Sequence, residues 1–70
     1  MRYTIQCDYD TSERVGAGGM FQVVSLEDQD GNDRTSLLDV GKHYRSFDEV
    51  ARDIAKATGM KAEEVELEED

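Results

Sequence analysis

Seventy residues carrying 17 Asp and Glu against eight Lys and Arg, for a formal charge of −9, amount to one small domain dominated by carboxylate. Charge of that sign repels nucleic acid and anionic membrane and attracts basic surfaces, and a core this small leaves little volume for an enclosed pocket. Cys7 is the only cysteine and there is no proline, which excludes an intrachain disulfide and favours a reducing compartment. The surplus is uneven: residues 1–45 hold eight acids and five bases, residues 46–70 nine acids and three bases.

In chain order, Tyr3, Ile5, Cys7 and Tyr9 alternate with Arg2, Thr4, Gln6 and Asp8, the period of two of a half-buried strand. Asp10 to Gly19 reads as a loop ending in the flexible run Gly16-Ala17-Gly18-Gly19. Met20 to Glu27 is the second strand. Its apolar residues fall on both parities, Phe21 and Val23 and then Val24 and Leu26, so both faces are covered or a bulge shifts the register. Asp28 to Asp33 is turn chemistry around Gly31, and Thr35 to Tyr44 is expected to return as a third strand weakened by Gly41.

A helix is predicted over residues 46–58. Ser46 and Glu49 have the spacing of a capping box, and Asp48 and Glu49 suit the positive end of the helix dipole. Phe47, Val50, Ala51, Ile54, Ala55 and Thr58 recur on one helical face, and Gly59 stands where a left-handed terminator belongs. Lys61 to Glu64 reads as a short turn. Val65 to Glu68 alternates, so an optional fourth strand competes there with a helical tail. The expected fold is α+β, a three-stranded antiparallel sheet followed by one covering helix (β-β-β-α, with that optional strand). It forms one domain over 1–70 with an acidic segment over 62–70. The second sheet face is left open, so a homodimer would supply its cover.

Site chemistry is sparse. Asp28, Asp30 and Asp33 surround Gly31, but a calcium loop aligned on that glycine would put Leu26 and Leu37 at its first and last ligand positions. Zinc would have only Cys7 and His43. The glycine run precedes a strand instead of opening a helix, which argues against phosphate binding. No cofactor and no enzymatic activity are expected. The basic residues Arg2, Arg14, Arg34, Lys42, Arg45, Arg52, Lys56 and Lys61 are scattered and outnumbered, so direct nucleic-acid binding is not expected either. The N-terminus lacks an apolar run and nothing is long enough to span a membrane, which predicts a cytoplasmic protein.

What remains is the acidic surface itself. Asp28, Asp30 and Asp33, the helix-start pair Asp48 and Glu49, and Glu63, Glu64, Glu66, Glu68 and Glu69 are the candidate partner-binding residues. In size, acidity and lack of site chemistry the chain resembles the small phage-encoded inhibitors of host defence, the anti-CRISPR and anti-restriction proteins. That resemblance of kind rests on composition over the whole chain and on no motif. It implies an inhibitor that imitates the charge of nucleic acid and blocks a basic nucleic-acid-handling partner. Two other functions fit the same composition: a small adaptor or antitoxin-like protein, and an ordinary domain adapted to high salt, for which three lysines against 17 acids is compatible.

Overall fold

The computed structural model describes residues 1–14, 16 and 18–70. Val15 and Ala17, inside the glycine-rich connector, lie outside the described residues, as does the Glu13 side chain. The elements are β1 (Arg2–Asp8), α1 (Asp10–Arg14), β2 (Gln22–Asp28), α2 (Phe47–Thr58) and β3 (Glu66–Glu69), with 3-10 turns at Thr35–Leu37 and Ala62–Glu64. The sheet order is β2-β1-β3, with β2 antiparallel and β3 parallel to the central β1. The class is therefore α+β as expected. The wholly antiparallel meander is not: the sheet is mixed, and its third strand is the C-terminal segment.

Thr35 to Tyr44 forms no strand because its backbone groups are satisfied locally. Asp33 Oδ1 accepts from the Thr35 amide (2.9 Å) and hydroxyl. That contact opens a turn in which the Leu37 and Leu38 amides bond to Arg34 and Thr35. Asp39 Oδ1 likewise takes the Gly41 amide (3.0 Å). Such aspartate turns compete with ladder pairing. Only Tyr44 joins the sheet region, exchanging both backbone hydrogen bonds with Phe21. The Leu26 amide is taken by the Thr35 hydroxyl (3.0 Å) and the Leu26 carbonyl by the Arg34 amide (2.7 Å), so this segment covers the outer edge of β2.

The apolar residues on both parities of β2 are explained by a bulge. Gln6 pairs with Ser25, but Cys7 pairs with Val23, leaving Val24 unpaired and half exposed. The extra residue turns both Val23 and Leu26 into the core. They meet Tyr3 and Ile5 of β1, Val65, and the buried Val50, Ala51, Ile54 and Ala55 of α2. Phe21 ties the start of α2 to the sheet, edge-on to Phe47 with centroids 5.5 Å apart.

The boundaries of α2 agree with the sequence reading to within a residue. Gly59 has φ 76°, the left-handed terminator, and Met60 packs back on the core. The cap differs. Ser46 occupies the N-cap position but its hydroxyl makes no cap hydrogen bond; instead Glu49 reaches back to the Arg45 amide (2.6 Å). Within the expected loop, α1 forms because Asp8 accepts from the Asp10 and Thr11 amides and the Thr11 hydroxyl (3.0, 3.2 and 2.6 Å). The Thr11 bonds hold the Asp8 carboxyl below its ordinary range.

The open sheet face is polar. Arg2, Thr4 and Gln6 of β1 share it with their partners Ser25 and Glu27 of β2 and Glu66 and Glu68 of β3. Among the described residues no helix is long and apolar enough to cross a membrane.

Candidate functional site

The ten candidate carboxylates divide by what their oxygens already hold. Asp28 is the centre of its turn: Oδ1 accepts from the Asp30 and Asn32 amides (both 2.9 Å), and Oδ2 from the Arg34 guanidinium (3.0 Å). Its side chain is only 9% exposed. Bonding from Asn32, with the Arg34 guanidinium beside it, keeps its carboxyl below the usual range. Asp33 is held low in the same way by the Thr35 hydroxyl and amide. Glu49 caps α2 through Arg45, and Glu69 accepts from the Tyr9 hydroxyl (2.9 Å). These four are structural ligands of their own chain.

Asp30, Asp48, Glu63, Glu64, Glu66 and Glu68 are all exposed. Glu66 stands 3.8 Å from Arg2, with both side chains more than 60% exposed, a pair worth little in water. The fold sets most of this group in two places. Glu63 and Glu64 lie in the turn leading into β3, where Glu63 lines a shallow hollow with Asp48 and Arg52 of α2. Glu66 and Glu68 follow on the open face of β3, beside Arg2 and Thr4. Asp30 stands apart at the β2 turn.

Glu27 belongs to this surface although it was not among the candidates. Thr4 of β1 pairs with Glu27 on one side and Glu68 on the other, so the three share a row, with about 10 Å between the outer two strands. The clue in the sequence was the bulge: once Val23 and Leu26 both point inward, Glu27 must point out.

Two polar contacts elsewhere were also invisible in the sequence. Ser12 Oγ lies 2.6 Å from His43 Nδ1 and is fully buried; its oxygen is closed to solvent, and the pair ties α1 to the segment before α2. Asp53 Oδ2 accepts from the Tyr44 hydroxyl (2.7 Å) and Lys42 Nζ (3.1 Å). Burial alone would raise the Asp53 carboxyl, but those two donors outweigh it and hold it low. Cys7 is half-buried; burial first, then the nearby Glu69 charge, push its thiol up to about 11, so it stays protonated and unreactive at neutral pH. Among the described residues no group of three or more His, Cys, Asp or Glu is placed to hold a metal ion.

Compared with protein-family models, curated proteins and solved structures, the chain matches none.

Proposed function

We propose that this protein is a non-enzymatic, acidic protein-binding module that inhibits a basic nucleic-acid-handling partner by presenting carboxylates where that partner expects phosphates. One observation carries the reading: the carboxylates with no structural task are concentrated on ordered elements, the turn at Ala62–Glu64 and β3, with Glu27 beside them. Carboxylates carried on a fixed backbone suit electrostatic recognition because little backbone freedom is lost on binding.

The charge density is of the right order. Apart from Glu69, which holds the Tyr9 hydroxyl, Glu63 to Asp70 offers five acids in eight residues. At no more than about 3.3 Å per residue that is one charge per roughly 5.3 Å or less, against one per about 3.4 Å along a single DNA strand. A basic groove shaped for phosphate would meet a comparable field.

The test is competition. Duplex or single-stranded nucleic acid is titrated against a preformed complex between this protein and a basic nucleic-acid-binding protein that it retains. Mutual displacement is expected, with affinity falling steeply as salt shortens the Debye length from about 10 Å at 0.1 M. Simultaneous binding without mutual weakening excludes mimicry and leaves an adaptor.

A further inference from the structure

The outer edge of β3 is open. The Glu66 amide donates to the Met1 carbonyl (2.8 Å) and the Asp70 amide to the Ile5 carbonyl (2.9 Å). Along a strand, inward-facing backbone groups recur at every second residue, so Glu66, Glu68 and Asp70 face β1. The N–H and C=O groups of Leu67 and Glu69 therefore point away from the sheet, and β3 is its terminal strand. The opposite edge, on β2, is covered by the Arg34–Thr35 and Tyr44 contacts. The two edges of this sheet are thus unequal: among the described residues, only the one on β3 has a row of free backbone donors and acceptors.

We propose that the β3 edge takes up an extended basic segment of the partner as a fourth strand, its lysines or arginines beside Glu66 and Glu68 and its apolar residues beside Leu67. The inference rests on the proposed function and names the mode of binding. Charge selects the occupant. A second copy pairing through the same strand would set Glu66, Glu68 and Glu69 against themselves, and like charges directly opposite are destabilising. A basic segment reverses that sign. Alternation follows from the pleat: residues of an added strand that neighbour Glu66 and Glu68 share the open polar face, whereas those neighbouring the half-buried Leu67 share the helix side. Main-chain hydrogen bonds to Leu67 and Glu69 then contribute affinity, and the alternate side chains contribute specificity.

The probe is an acetylated octapeptide of alternating lysine and valine, titrated at low salt into the whole protein while amide exchange is followed by NMR. The expected result is that the Leu67 and Glu69 amides become protected by about tenfold or more. Two N-methylated peptides, one modified on the lysines and one on the valines, keep the protein intact and should differ. The one whose methyl groups face β3 loses about tenfold in affinity and the other binds as before, because only one side of an added strand is hydrogen-bonded. Glu69→Pro removes one outward N–H at an edge position that tolerates proline and should weaken binding likewise. Equal binding of both methylated peptides, with the Leu67 and Glu69 amides still exchanging freely, overturns strand addition; nucleic-acid competition by the whole partner would survive that result. Protected amides together with failed nucleic-acid competition would instead keep the edge site and remove the mimicry. Protection that rises with protein concentration in the absence of peptide would put a second copy on the edge and overturn the basic occupant.

Discussion

The turn at Asp28 and the strand at β3 are both acidic, yet their carboxylates do opposite things. At Asp28 the charge is surrounded by the amides of its own loop and by Arg34, and the side chain is nearly closed to solvent. Along β3 the Glu66 side chain is 69% exposed and its nearest basic group is a loosely placed Arg2. Composition treats these residues alike. Their difference is one of satisfaction: an acid already holding several N–H groups cannot be offered to a partner without opening the turn, whereas an exposed one that holds none can.

The largest effect should come from neither region. Ile54 of α2 is fully buried in the core, and Ile54→Ala should cost about 2–5 kcal/mol in denaturant unfolding; an unchanged midpoint would mean that α2 does not close the core. Asp28→Ala should come next. It leaves the Asp30 and Asn32 amides and Arg34 without their acceptor, so the unfolding midpoint should fall clearly below that of Asp30→Ala at the tip of the same turn. Equal midpoints would erase the contrast between held and free acids.

The same contrast has a pH signature. The folded-state carboxyls of Asp8, Asp28 and Asp33 lie below the ordinary value of 3.8. Their stabilisation is therefore present above that pH and is lost as pH falls through the lower folded values. In acid titrations of stability, Asp28→Ala should flatten the loss below pH 3.8 relative to the parent; a parallel curve would show that the turn carboxylate is not the linked group.

Smaller still is Ser46→Ala, expected within about 0.5 kcal/mol because the hydroxyl makes no cap bond. Glu49→Gln, which weakens the bond to the Arg45 amide, should cost more, and the reverse order in thermal melts would restore the serine cap. Smallest of all, Glu66→Lys with Glu68→Lys should leave folding stability within about 0.5 kcal/mol or raise it by relieving repulsion. Binding to a basic partner should nonetheless weaken, as measured by the association rate at low salt. A large stability loss would place these glutamates with Asp28 as structural residues.

Local pattern carried the helix and the first strand, because each needs only neighbours in sequence to declare itself. Phe47, Val50, Ala51, Ile54 and Ala55 repeat with the helical period up to Gly59, and Tyr3 and Ile5 alternate with polar residues. Pattern failed over Thr35 to Tyr44, where Asp33 and Asp39 satisfied the backbone through turns and outcompeted a weak alternation of Leu38 and Val40. It found the acidic candidates, but it had no means of separating Asp28 from Glu66 and passed over Glu27 altogether.

The amino-acid order by itself determined the α+β class, the extent of α2, the left-handed stop at Gly59 and the excess of negative charge, all properties of residues a few positions apart. Tertiary structure alone decided that the last strand lies parallel beside β1 and that Glu27, Glu66 and Glu68 share a face while Asp28 is enclosed. It also left one sheet edge open. Strand partners more than 60 residues apart, such as Arg2 and Glu66, are chosen by which pairing buries Leu67 and Val65 against the core and satisfies the most backbone hydrogen bonds, and no local period encodes that choice.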